Sequence, residues 1–305
     1  MFRGKIVIVG SGNVGATCAY TIMLGGVFSE IVIIDVNKNK AECDAMDIAH
    51  GVSLVKPVRV VSGDYSECSD ADIVVITAGV AQKPGETRLD LLKRNTVVFK
   101  SIISSIMKYA PGDVILLTVT NPVDILTYIT WKLSGLPKNQ VLGSGTVLDT
   151  SRLKYMLSRH TGIDARNCHT YIIGEHGDSE VAAWSVTNIA GMTMEEYAGF
   201  TGKCTRADLD MMYSQVKNAA YEIIEKKGAT YYAIAVAVDR ITDCIAHDEN
   251  AILTVSSIFE GQYGIKDVAL SVPTKVDGNG IEKIFEVSFS ENELQSLKNS
   301  EDTLS

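Results

Sequence analysis

The chain has 305 residues, 46% of them apolar and 21% charged, with 28 Lys and Arg against 37 Asp and Glu for a formal charge of −9. This composition is that of a folded chain with a sizeable core, and it excludes a disordered or low-complexity protein. An acidic total argues against a nucleic-acid or anionic-membrane binder, which carries a basic surface.

The length suits two domains or one large one. No apolar run approaches the ~18 residues of a membrane span. Met1-Phe2-Arg3-Gly4-Lys5 runs straight into a strand pattern, so no signal peptide is expected. Cys18, Cys43, Cys68, Cys168, Cys204 and Cys244 form neither a CxxC pair nor a zinc-ribbon spacing. They read as buried thiols of a reducing compartment, and the expected location is the cytoplasm.

In chain order, Lys5–Val9, Ile31–Asp35, Val58–Val61, Ile73–Thr77 and Val114–Val119 are short, nearly continuous apolar runs. Between them, Asn13–Val27, Asn37–His50 and Thr87–Tyr109 have helical character. Strands apolar on both faces, separated by helices, predict a parallel sheet with crossover helices covering both sides. The fold class is α/β, a Rossmann-type doubly wound parallel sheet. The alternation weakens at Gly143-Ser144-Gly145, which divides a first domain, 1–143, from an α+β second domain, 144–305.

In the second domain Ala207–Lys227 places Leu209, Met212, Val216, Ala219, Ala220 and Ile223 at helical spacing. Gly228 interrupts it, and a further helix is expected over Ala229–Ile245. Asp267–Lys275 and Ile284–Phe289 read as strands joined by the turn Asp277-Gly278-Asn279-Gly280. Ser290 and Glu293 form a capping-box pattern opening a last, polar helix.

The most specific local signal is Gly10-Ser11-Gly12-Asn13-Val14-Gly15, placed between the first strand and the first helix. Gly10 permits the tight turn, Gly12 lets backbone approach a pyrophosphate, and Gly15 lets the helix lie close to the strand. The helix N-terminus then offers free N–H groups to the phosphates. Asp35 follows Gly15 by twenty residues at the end of the second strand, where it can accept hydrogen bonds from a ribose. A carboxylate there repels a 2′-phosphate, and Val36 supplies no cation to offset it, so the expected cofactor is NAD rather than NADP.

Several segments could carry chemistry. In Thr146-Val147-Leu148-Asp149-Thr150-Ser151-Arg152, Asp149 and Arg152 share a helix face. The plain alternative is a capping box of Thr146 and Asp149, with Arg152 as a surface partner. In Tyr171–Ser179 an apolar run leads into His176, flanked by Gly174 and Gly177, which suits a general acid/base working near neutral pH. Metal ligation by His169, Glu175, His176 and Asp178 is the rival reading, but they match no recognised ligand spacing. Gly79–Arg88 follows the fourth strand, where doubly wound folds bind ligands, and holds Gln82, Lys83 and Arg88 in a loop that could serve as a lid. Asn121-Pro122 follows the fifth strand, and its peptide bond is a candidate for the cis form.

Together the segments GSGNVG, AGVAQKPGETR, TNPVD, GSGTVLDTSRLK, IIGEHGDSE and KGATYYAIA resemble the L-lactate dehydrogenases, within the wider lactate and malate dehydrogenase family, over essentially the whole chain. The resemblance implies that His176 donates and accepts the proton while Asp149 holds its other ring nitrogen. It implies that Arg152 grips the substrate carboxylate, Arg88 arrives with a closing loop to polarise the carbonyl, Asn121 bonds the carbonyl oxygen and Thr230 lines the pocket. For NAD it implies Gly10, Gly12, Asn13, Val14, Gly15, Asp35, Tyr65, Gly79, Asn121 and Ser144. At the position of Gln82, malate enzymes carry an Arg that pairs with a second carboxylate, so the neutral amide points to pyruvate. The resemblance also implies a homotetramer, and many bacterial members are activated by fructose 1,6-bisphosphate, bound between subunits by an Arg and a His. Here His169 matches, and Lys154 stands in place of the Arg. The alternatives are a malate dehydrogenase, an NAD-dependent glycosidase of the same superfamily, for which no Cys/His metal site is evident, and a non-catalytic NAD-binding redox sensor.

Overall fold

A computed structural model describes residues 4–80 and 88–304, with backbone only at Arg88 and Leu89. In chain order the elements of the first half are β1 (Lys5–Val9), α1 (Asn13–Gly25), β2 (Glu30–Ile34), α2 (Lys38–His50), β3 (Arg59–Ser62), β4 (Ile73–Ile76), α3 (Arg88–Met107), β5 (Ile115–Thr118), α4 (Val123–Ser134) and β6 (Val141–Gly143). The second half begins with α5 (Val147–Thr161), followed by short strands β7 (Cys168–His169), β8 (Ile172–Ile173), β9 (Val181–Ala182), β10 (Asn188–Ile189) and β11 (Met192–Thr193). After them come α6 (Met194–Thr201), α7 (Arg206–Lys227), α8 (Tyr232–Ala246), β12 (Ala251–Leu253), β13 (Ser256–Glu260), β14 (Lys266–Ser271), β15 (Thr274–Asp277), β16 (Gly280–Ile284) and α9 (Glu291–Leu304).

The chain packs as two units that are not contiguous in sequence. One comprises Met1–Ser144, Tyr231–Ala251 and Lys275–Lys283; the other comprises Gly145–Thr230, Ile252–Thr274 and Ile284–Ser305. In the first, β3-β2-β1-β4-β5-β6 lie side by side, all parallel. This is the doubly wound order in which the strand sequence reverses beside β1, creating a crevice at the carboxyl ends of the strands. The register sets Val7 against Val32 and Val74, and all three are inaccessible to solvent. Burial on both faces is why these strands are apolar throughout rather than alternating. Phe99, Ile102, Ile103 and Ile106 of α3 and Leu126 of α4 close the core on one side.

α8 belongs to this unit because Ala235, Ala237, Val238, Ile241 and Ile245 make a buried stripe, and the helix packs on α1. In the second unit, α5 and α7 enclose a core with β7 and β10, from Leu153 and Leu157 to Leu209, Met212 and Val216. A second core joins Ile173 and Val181 to Phe259, Leu270 and Leu297 of α9. Antiparallel β8 and β9 pair Ile173 with Val181, making a hairpin whose connection carries residues 174–180.

Most expected elements are present, with three differences. The run Asp267–Lys275 is divided into β14 and β15 at Val272-Pro273, where proline has no N–H for a ladder. Residues 285–289 of the expected Ile284–Phe289 strand belong to no strand. Their polar backbone is served by Tyr263, whose hydroxyl accepts from Val287 N at 2.7 Å and donates to Phe285 O at 3.1 Å. The turn at 277–280 therefore joins β15 to β16. The third difference concerns the thiols: all six cysteines are free, and Cys43 on α2 is exposed rather than buried. Burial pushes the Cys18 and Cys68 thiols up to about 12, so they stay protonated.

Candidate functional site

In the first unit, the turn from β1 into α1 has the geometry that a dinucleotide requires. Gly10 has φ +109°, and a Cβ there would sit 2.6 Å from the backbone nitrogen of Ala78. A Cβ on Gly15 would collide with the carbonyl oxygen of Gly10. Gly12 differs, for an added Cβ would meet nothing within 4 Å. Its hydrogen atoms face open space at the start of α1, which has no side-chain cap and no acidic residue in its first turn. Uncapped N–H groups beside a cleared surface suit a pyrophosphate, and the residues present fit NAD. Asn13 and Val14 open that helix.

Asp35 lies just beyond β2. Its carboxylate accepts from Ser11 N at 2.6 Å and from Asn37 N at 2.7 Å, tying the glycine turn to the end of β2. Val36 beside it is fully exposed, and the neighbouring Lys40 is held by Asp44 at 2.5 Å. Tyr65 is half-buried, and burial above all, with the charge of Asp35, raises its phenol above the usual range. Gly79 follows β4, where a Cβ would overlap Thr120 and come within 3.1 Å of Asn95 Oδ1. Ser144 is buried beyond β6 and donates its N–H to Thr118 O at 2.8 Å. Asn121 is exposed between β5 and α4, and its bond to Pro122 is cis.

Asn95 is a functional-site neighbour that sequence reasoning missed. Fully buried on α3, it accepts from Val80 N at 2.9 Å and reaches Asn121 O at 3.5 Å, linking the loops after β4 and β5. The available signal was an amide on the apolar face of α3, one turn before Phe99. Gln82 falls in residues 81–87, outside the described residues, and the side chain of Arg88 does as well.

The second unit brings His176, Asp149 and Arg152 together. Thr146 does not cap α5; its hydroxyl donates to Ile172 O at 2.6 Å and so fastens the helix start to β8. Asp149 consequently faces the β8–β9 connection instead of closing a capping box. It is 2% exposed, its Oδ2 lies 2.5 Å from His176 Nδ1, and its Oδ1 accepts from Arg152 Nη1 at 2.7 Å. Burial works against a charged Asp149, yet His176 and Arg152 outweigh it and hold the carboxyl below the usual carboxylate range. His176 and Arg152 are themselves partly accessible, with side-chain exposures of 23% and 13%. A buried carboxylate bridging a histidine and an arginine orients both. Asp178, a rival metal ligand, instead accepts from the Tyr221 hydroxyl at 2.7 Å. Among the described residues, the one group spaced to share an ion is Asp243, His247 and Glu249, which includes none of the four candidates.

Glu180, two residues beyond Asp178, was not foreseen. It is 5% exposed, its Oε1 has no partner among the described residues, and burial together with the Asp149 charge pushes its carboxyl up to about 8. Thr230 is half-buried in the connection between α7 and α8. Lys154 of α5 is half-buried, and burial lowers its ammonium below the usual range; His169 on β7 is exposed.

A doubly wound nucleotide-binding sheet, together with a histidine–aspartate–arginine group, defines the class of nicotinamide-dependent oxidoreductases. The comparisons narrow this further. The family model for the lactate/malate dehydrogenase NAD-binding domain matches residues 4–143, and that for the family's α/β C-terminal domain matches 146–305. The chain is 60% identical to an L-lactate dehydrogenase of Acetivibrio thermocellus, covering 98% of this chain and 95% of that relative. It is 59% identical to L-lactate dehydrogenase 1 of Clostridium acetobutylicum, over 98% of this chain and 96% of the relative. Among solved structures, the minor L-lactate dehydrogenase of Enterococcus mundtii is similar with a TM-score of 0.95 and 45% identity, over 98% of this chain and 96% of that one. A lactate dehydrogenase from a Medee basin deep-sea metagenome library gives a TM-score of 0.97 at 43% identity, over 100% of this chain and 97% of the other. This chain belongs to the lactate/malate dehydrogenase family, and its cofactor is NAD.

Proposed function

We propose that the protein is an L-lactate dehydrogenase that interconverts pyruvate and L-lactate and regenerates NAD in fermentation. In this reading 1–143 binds NAD and 144–305 carries the acid/base group. The observation that carries it is the His176–Asp149 contact of 2.5 Å, with Arg152 on the other carboxylate oxygen. NAD, when bound, supplies the hydride acceptor or donor. Gly10, Gly12, Asn13, Val14, Gly15, Asp35, Tyr65, Gly79, Asn121 and Ser144 would hold it.

The remaining work falls to side chains. Asp149 fixes the tautomer with a proton on His176 Nδ1, leaving Nε2 to exchange the second proton with the substrate oxygen. A guanidinium has five N–H donors, so Arg152 can keep its bond to Asp149 and still bind the substrate carboxylate. Arg88 and Asn121 would donate to the carbonyl oxygen where negative charge grows, and Thr230 would line the pocket. Gln82 would face the substituent at C2. Oxaloacetate would bring a second carboxylate to that neutral amide, at a cost of several kcal/mol for an unpaired buried charge. Pyruvate brings a methyl group.

The deciding experiment follows NADH oxidation with pyruvate, oxaloacetate and branched 2-oxo acids side by side, in the native protein and in His176→Asn. Pyruvate should be preferred, and His176→Asn should lose about 10²–10⁴-fold in turnover. Preference for oxaloacetate would make it a malate dehydrogenase; turnover surviving in the variant would remove His176 from the chemistry. Cytoplasmic location and a homotetramer complete the reading. Among the described residues no helix is long and apolar enough to cross a membrane. Tyr20 and Leu24 of α1, with Tyr232 and Val236 of α8, expose apolar surface that subunit contacts would cover.

A further inference from the structure

The last helix, α9, reaches the loop that carries His176 through one buried hydroxyl. Ser300 is 0% exposed. Its Oγ accepts from the backbone N–H of Glu175 at 2.6 Å and lies 3.0 Å from Ser179 Oγ. Ser179 in turn donates its only hydroxyl proton to Glu175 Oε2, at 2.5 Å. Since that proton is committed, Ser300 is the donor to Ser179. A closed ring of three hydrogen bonds results, running Glu175 N–H to Ser300, Ser300 to Ser179, and Ser179 back to the Glu175 carboxylate. The ring clasps both ends of the segment 175–179, with His176 inside it.

Both sides of the clasp are fixed. On the helix side, Glu293 and Ser290 form the capping box that opens α9. Glu293 also accepts from Ser185 N at 2.9 Å and from the Ser185 hydroxyl, while Leu297 is fully buried in the core with Ile173 and Val181. On the loop side, Gly174 has φ +89° and exchanges backbone bonds with Ser271 of β14. A Cβ on Gly174 would lie 2.8 Å from Ser300 Oγ, so the helix contacts the loop without a spacer. Neither the cap of α9 nor the packing of Leu297 requires a hydroxyl at position 300.

We propose that Ser300 is a positioning residue for His176, holding the 175–179 segment so that the imidazole stays on Asp149. The proposal rests on the lactate dehydrogenase reading in which His176 moves the proton. Arg152 lies on α5, not on the clasped loop. Loss of the clasp therefore impairs proton transfer more than substrate binding. A misplacement of about 1 Å can cost on the order of 100-fold in rate.

The test is steady-state pyruvate reduction by the full-length protein carrying Ser300→Ala, Ser300→Cys or Ser179→Ala, with His176→Asn as control. Ser300→Ala should lower kcat roughly 10- to 100-fold, with KM for pyruvate within about threefold and the affinity for NADH, read by fluorescence, unchanged. The pH profile of kcat/KM should also move as the imidazole loses its fixed place on Asp149. Ser300→Cys, isosteric with a weaker donor, should fall between. Ser179→Ala opens the ring from the loop side, so it gives the same reading if Ser300→Ala fails to fold. Unchanged kcat and pH profile in both Ser300→Ala and Ser179→Ala, with His176→Asn inactive, would overturn the proposal alone. An active His176→Asn would overturn the reading beneath it.

Discussion

Ionisation of Glu180 opposes folding. Its carboxyl is ordinary, near 4.5, in the unfolded chain and pushed up to about 8 when folded, because burial and the charge of Asp149 disfavour a second anion. The folded protein therefore holds one more proton than the unfolded chain between those values, and stability falls as pH rises through that window. Glu180→Gln keeps the shape and removes the titration. Its melting temperature should match the native protein near pH 4.5, pull ahead progressively to about pH 8, and stay ahead by a constant margin above that. Removing such a buried charge is worth on the order of 1–3 kcal/mol. Thermal melts at pH 5, 7 and 9 would show it, and a gap independent of pH would reject the assignment. Asp149 behaves oppositely, with its folded value lowered, so its contribution is present above about 3.8 and is lost in acid. Gln82→Arg should shift the ratio of pyruvate to oxaloacetate activity toward oxaloacetate by at least tenfold, since a bidentate partner replaces an unpaired charge. An unchanged ratio would remove Gln82 from specificity.

At the scale of elements, the β1–α1 turn separates fold from ligand through its glycines. Gly12→Ala should fold with an unchanged melting temperature, because its Cβ would meet no protein atom within 4 Å, yet it should weaken NADH binding at least tenfold. Gly10→Ala should instead destabilise the protein by about 1–3 kcal/mol, since both φ +109° and the Ala78 backbone oppose a side chain. Fluorescence titration and thermal melts on both variants separate the two effects, and full NADH affinity in Gly12→Ala would remove the pyrophosphate from that surface. This turn was legible in the sequence because its demands are local, being met by three glycines, a strand and a helix start within a few residues. The 285–289 segment was not legible. Phe285, Val287 and Phe289 alternate as a strand would, and Val287 and Phe289 pack on a core, but Tyr263 takes backbone bonds that a neighbouring strand would have taken. Periodicity reports which side chains are buried, not what their backbone is bonded to.

For the whole molecule, the formal charge of −9 is compatible with an anionic substrate because local charge governs binding. Arg152 and His176 stand together on one carboxylate in the second unit, and the uncapped start of α1 stands in the first. Light scattering should give a mass about four times that of the chain if the exposed apolar residues of α1 and α8 are covered by copies. A monomer at micromolar concentration would reject the tetramer. Activation by fructose 1,6-bisphosphate would depend on Lys154 and His169. Lysine meets a phosphate as a point charge where arginine would grip it bidentately, so the sugar bisphosphate should raise pyruvate reduction by less than about threefold. A larger activation would show that the site forms despite the lysine.

The sequence by itself determined the parallel α/β half, the dinucleotide turn with Asp35, and the residue types of the acid/base group. These follow from strand and helix periodicity and from the conformations only glycine tolerates, which are encoded within one or two elements. The tertiary structure alone decided that Asp149, beside the His176 that the resemblance assigns to it, also holds Arg152 and does not cap α5, that Glu180 is a buried acid, and that Ser300 closes on a loop 125 residues earlier. Segments 231–251 and 275–283 likewise joined the first unit rather than the second. A hydrogen bond or a desolvated charge depends on distances fixed to within about an ångström. Such distances arise from the packing of elements far apart in the chain, which no local pattern of residues records.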